Sequence, residues 1–136
     1  MTMNKLSIFI ISVFFSFNIS QALAAEVYII SPKEGETVSP NFTVLFGLKG
    51  MGVAPAGVEK VGTGHHHLLI DTDLPNFGYA IPADPHHVHF GGGQTQATIT
   101  LSPGQHTLQL LLADHNHLPH DPPILSDKIT INVVAE

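Results

Sequence analysis

Beyond residue 25, hydrophobic positions recur with a period of two. Phe42, Val44, Phe46 and Leu48 alternate with Thr43, Leu45, Gly47 and Lys49. Ala97, Ile99 and Leu101 alternate with Thr98 and Thr100; Leu108, Leu110 and Leu112 alternate with Thr107, Gln109 and Leu111; Ile129, Ile131 and Val133 alternate with Lys128, Thr130 and Asn132. Successive side chains of a strand point to opposite faces, so this pattern predicts strands, and no stretch of useful length shows a helical period. Shorter runs at 27–30 and 65–70 extend the set, and 77–81 is a weaker member. Ser31-Pro32, Ser39-Pro40, Ser102-Pro103-Gly104 and Asp121-Pro122-Pro123 punctuate it as turns. Strands are therefore expected over 27–31, 41–49, 64–71, 94–101, 105–113 and 126–134. Long connections at 50–63, 72–93 and 114–125 join them, and connections of this length often carry function. Six or seven short strands in about 110 residues predict an all-β fold, an antiparallel immunoglobulin-like β-sandwich.

The N-terminus follows a different pattern. Lys5 precedes a continuous apolar run over 6–17, and Ala22-Leu23-Ala24 follows. A basic start, a short apolar core and a small-residue cleavage signal predict a secretory signal peptide over 1–24. The run is shorter than the roughly 20 apolar residues that a bilayer span requires. Residues 25–136 are then a single domain, periplasmic or secreted, with no membrane insertion after cleavage.

Beyond residue 24 the chain holds four Lys, no Arg and all eleven acidic residues, a formal charge of −7. That balance excludes the basic footprint of a nucleic-acid partner and gives no attraction to anionic membranes. With no Cys in the chain, disulfides, thiolate sites and iron–sulfur clusters are excluded as well.

Histidine changes the picture. All ten histidines lie beyond residue 24, and nine fall into three clusters: His65-His66-His67, His86-His87-Val88-His89, and His115-Asn116-His117-Leu118-Pro119-His120. His106 stands apart. In an immunoglobulin-like sandwich the strand over 64–71 runs antiparallel beside the strand over 105–113. The start of the first then lies at the same end as the finish of the second. The short link at 102–104 reverses the chain, so the segment feeding the strand over 94–101 comes to that end too. All three clusters are expected to meet there, and His106 is expected at the opposite end.

The spacing points to metal ligation. Residues i and i+2 of a strand share a face, so His65 and His67 can close on one ion while His66 faces the other way with Leu68 and Ile70. His87 with His89, and His115 with His117, repeat the spacing, and His120 adds a further donor. Imidazole suits Zn, Cu, Ni and Fe; with no Cys and only Met51 beyond residue 24, copper(II) or zinc is favoured over Cu(I). Asp114 is a candidate ligand or an acceptor that orients a ligand. The expected role is metal buffering, delivery or sensing. An alternative is a structural His network in a non-catalytic module that contacts another envelope protein. A metalloenzyme ranks last, since no independent nucleophile or general base stands out.

Four strings cover much of the chain beyond residue 45: Phe46-Gly47-Leu48-Lys49-Gly50-Met51-Gly52-Val53-Ala54-Pro55-Ala56-Gly57, Gly64-His65-His66-His67-Leu68-Leu69-Ile70-Asp71, His89-Phe90-Gly91-Gly92-Gly93-Gln94-Thr95, and Pro103-Gly104-Gln105-His106-Thr107-Leu108-Gln109-Leu110. Together with His117-Leu118-Pro119-His120 through Ser126, they resemble the small exported bacterial proteins grouped as domain of unknown function 4399. The resemblance implies no activity. A shorter likeness links His87-Val88-His89-Phe90-Gly91 to the metal-site strand of copper/zinc superoxide dismutases. That family would call for a disulfide and an active-site Arg, and this chain has neither Cys nor Arg.

Overall fold

The computed structural model describes residues 24–135. The signal peptide expected over 1–24 lies, but for Ala24, outside the described residues. Nine strands run in order: β1 (Glu26–Ser31), β2 (Thr37–Val38), β3 (Asn41–Lys49), β4 (Gly52–Val53), β5 (Thr63–Ile70), β6 (His87–His89), β7 (Gln96–Thr100), β8 (Gly104–Ala113) and β9 (Ile129–Val133). They form two sheets, ordered β1-β3-β7 and β2-β9-β8-β5-β4, with β6 also paired to β5. The fold is an all-β sandwich. The six longer strands match the six expected from the alternation to within three residues at each end. The added strands are two or three residues long. Two of them, β2 on β9 and β4 on β5, pair in parallel and depart from the otherwise antiparallel order.

The alternation is realised as two buried layers. Val44 and Phe46 of β3 meet Leu68 and Ile70 of β5, Leu108 and Leu110 of β8, and Ile131 and Val133 of β9 in the main core between the sheets. Each fully buried aliphatic side chain contributes on the order of 1.5–3 kcal/mol. The opposite face of the larger sheet is not open to water. There Leu69 of β5 and Leu111 and Ala113 of β8 pack with Ile81, with Phe77 and Leu125 alongside. The weak strand expected over 77–81 is absent. Phe77 and Ile81 instead pin the long connection between β5 and β6 onto the outer face of the sheet.

One expectation for the connections is corrected. Residues 87–89 were expected within a loop but form a strand, in register with Leu69, Leu68 and His67 of β5. The link between β7 and β8 crosses from one sheet to the other rather than closing a hairpin. Strand β5 is thus paired along one edge by β8 and along the other by β4 and then β6. Every histidine cluster is fastened to that one strand or to the end of its neighbour.

Candidate metal centre

The site is built on alternation in β5. His66 turns inward, with its ring 5.2 Å from that of Phe46. His65 and His67 turn outward and are nevertheless 0% and 1% exposed. The register sets His65 opposite Ala113 and His67 opposite Leu111 on one side, and His67 opposite His89 on the other. Small and aliphatic β8 residues form the floor on which the imidazoles stand. His117 arrives from the loop after β8.

Four rings converge. The centroid of His65 lies 4.8 Å from His67, 5.0 Å from His89 and 5.1 Å from His117. His67 is 5.1 Å from His89 and 6.0 Å from His117, and His89 is 4.7 Å from His117. One ring nitrogen each from His65, His67 and His89 lies within 4.8 Å of the others. The Nε2 atoms of His89 and His117 are 3.2 Å apart. Nitrogens bound to a single ion at about 2.0–2.1 Å sit roughly 3–3.5 Å apart. The His89–His117 pair already has that spacing, and a bound ion would draw the other rings inward.

The loop carrying His117 is fixed by Asp114. Its Oδ1 accepts the backbone N–H groups of Asn116 at 2.8 Å and Leu118 at 3.0 Å. The Asp114 carbonyl also accepts the His117 N–H at 3.0 Å. His117 adopts φ 66°, an uncommon conformation for a residue other than glycine, and it turns the ring toward His89. Asp114 therefore shapes the turn, and its carboxylate is engaged by backbone donors. The His117 carbonyl in turn accepts the Ile81 N–H at 2.9 Å, which ties the two covering loops together. Gly91 makes room on the far side: a Cβ there would lie 2.2 Å from Cε1 of His89.

Hydrogen bonding separates His65 and His67 from His86, His87, His106 and His115, but not from His66, whose Nδ1 and Nε2 are also buried without a partner, or from His120, whose Nε2 is as well. Both ring nitrogens of His65 and Nδ1 of His67 are buried without a partner. A neutral imidazole carries one donor and one acceptor, and leaving them unpaired in a dry site is unfavourable by about 1–3 kcal/mol. Burial holds the pKa of His65 down to about 4, reinforced by His89 and His117, with Asp114 acting in the opposite sense. His67 is pushed down to about 3 by burial and then by His65, His89 and His117. His65 and His67 are therefore neutral at pH 7, the form that ligates a metal.

The remaining sequence candidates lie outside this group. His87 shares the face of His89 but stands one step along, level with Leu69, and its Nδ1–H donates to Asp84 Oδ1 at 2.9 Å. His115 accepts a hydrogen bond on Nε2 from Asn116 Nδ2 at 2.9 Å. His120 packs on the inward side of β5, where its Nε2 would lie 2.8 Å from a Cβ on Gly64. His106 is separate as well, donating to Asp71 Oδ2 at 2.6 Å and to the Ser102 carbonyl at 2.8 Å. These two acceptors raise its pKa.

The covering role of segment 80–83 is not read from the sequence, where residues 80 and 81 only end the weak strand expected over 77–81. Together with His67, His89 and His117 the segment lines a cavity of about 200 Å³. The apolar run Ala80-Ile81-Pro82-Ala83 is its only sequence signal. No curated protein and no solved structure matches the chain. A family model does match, over residues 44–134, a span that includes β5, β6, β8 and all four converging histidines. The chain belongs to the family described as Domain of unknown function (DUF4399).

Proposed function

We propose that this protein binds a transition-metal ion, copper(II) or zinc, through His65, His67 and His89, with His117 as a fourth ligand. Its work is then metal buffering, delivery or sensing in a periplasmic or secreted setting. One observation carries the reading: His66 is as buried and as unpartnered but faces Phe46, whereas His65, wholly buried with both ring nitrogens unpartnered, stands amid three other imidazoles. A hydrogen-bonded network placed there to order the loops would satisfy those atoms. The His86, His87 and His106 rings do have oxygen acceptors of that kind.

The donor set supports the choice of metal. Four neutral nitrogens and no sulfur suit Cu(II) and Zn and give nothing to hold Cu(I) selectively. Isothermal titration of metal-free protein with each ion tests the reading. The expected result is one saturable site at micromolar affinity or tighter, lost when His65→Ala and His67→Ala are combined. Absence of saturable binding, or binding unchanged in that double variant, would overturn it.

A further inference from the structure

The ligand set has a charge problem that the cavity beside it resolves. Four neutral imidazoles leave a divalent ion with its full charge in a site floored by Leu111 and Ala113 and covered by Ile81. The site is apolar on that side and reaches water at the exposed His89, so the ion's charge is screened there and an anion can approach it only from that open side. Among the described residues, Asp114 is the one carboxylate that acts on His65. It is not part of the donor group, and its Oδ1 already receives two backbone N–H groups. The donor group itself is all histidine, so no carboxylate ligand is at hand to balance the ion.

The cavity of about 200 Å³ opens on the same rings: His67, His89 and His117 form one wall and the segment 80–83 the other. No charged side chain lines it. A ligand inside would be recognised by the metal and by fit, without competing side-chain donors. An apolar cavity of about 150 Å³ accepts a six-membered ring, so the space takes a ligand of a few heavy atoms and rejects a large one.

We propose that the metal ion keeps one exchangeable coordination position facing this cavity, and that a small monoanion occupies it. His65, His67, His89 and His117 would hold the ion, which would supply Lewis-acid polarisation to whatever small ligand enters the cavity. This deepens the metal-binding reading and rests on it. It changes the character of the site from a closed store to a centre open to small anions.

Azide is a suitable probe, because its binding to Cu(II) produces a ligand-to-metal charge-transfer band. Protein loaded with one equivalent of Cu(II) is titrated with sodium azide. The expected result is a saturable band with one azide per copper. Ala83→Leu and, separately, Ala80→Leu fill the cavity from exposed loop positions. Each should weaken azide at least tenfold while copper stoichiometry is unchanged. Copper uptake with no azide band, or azide affinity unaltered in both variants, overturns the inference and leaves the metal site standing. Failure to take up copper at all removes both.

Discussion

At the residue scale, the site rests on two imidazoles, His65 and His67, buried with ring nitrogens unsatisfied beside the more exposed His89 and His117. Most buried polar groups in proteins are hydrogen-bonded, and an exception calls for a cause. On the proposed reading the cause is a metal ion that the rings would hold. A direct consequence follows for the metal-free protein: His65→Leu, close in volume and without polar atoms, should be more stable than wild type by about 1 kcal/mol. The same variant should show no rise in melting temperature on adding metal. Denaturant unfolding with and without Zn measures both, and a destabilised variant would point to a satisfied structural role for His65. The split between His65 and His67 on one face and His66 on the other was legible in the sequence, because alternation in a strand is obligatory. The choice of His117 over His115 was not legible. It depends on the φ of 66° at His117 and on the Asp114 hydrogen bonds that bend the loop, neither of which has a periodic signature. Nor could spacing show that Asp84 would occupy the Nδ1 of His87.

At the scale of the element, β5 does two tasks with two faces. Its inward side chains Leu68 and Ile70 hold the sandwich together, and its outward His65 and His67 belong to the site. Stability and chemistry are therefore coupled through one strand, and pH reports the coupling. Both outward rings have folded-state pKa values below the unfolded value of 6.5, about 4 for His65 and about 3 for His67. Between those limits the unfolded chain binds protons that the folded chain refuses. Metal-free stability is therefore full above about pH 6.5 and declines as pH falls toward 4 and then 3. The slope approaches about 1.4 kcal/mol per pH unit for each ring. The His106–Asp71 pair has the opposite sign. With its pKa raised, His106 contributes fully below pH 6.5 and loses that contribution as pH rises through its folded value. Urea unfolding between pH 7.5 and 5 checks the prediction. The wild-type slope should be steep on the acid side, and combining His65→Leu with His67→Leu should flatten it; equal slopes would contradict the assignment. The longer strands could be read from their period. The three-residue β6 could not, since three residues are too few to display a period and its existence depends on pairing with a distant segment.

At the scale of the molecule, the sandwich brings histidines from three distant segments onto one sheet face and then closes loops over them. The antiparallel neighbours β5 and β8, expected from the fold class, explain why His65, His67 and His117 meet. The covering of the outer face was not legible, because Phe77 and Ile81 read as a weak strand until the sheet beneath them was in place. Metal should tighten this closure. A ligand bound only to the folded state at 100 times its Kd adds about 2.7 kcal/mol of stability. Because the Ile81 N–H donates to the His117 carbonyl, amide exchange at Ile81 and across 114–118 should slow about tenfold or more on loading. Thr107, whose N–H donates to Asp71 beside His106, should change much less in local opening. Hydrogen exchange followed residue by residue tests this, and uniform slowing of equal size would show only global stabilisation.

X-ray absorption at the metal edge of zinc-loaded protein tests the centre itself. The expected spectrum has nearest neighbours dominated by nitrogen at about 2.0–2.1 Å, with the longer-range scattering of three or four imidazoles, and one imidazole fewer in His89→Ala. Nearest neighbours dominated by oxygen, or an imidazole number indifferent to His89, would contradict the proposed centre.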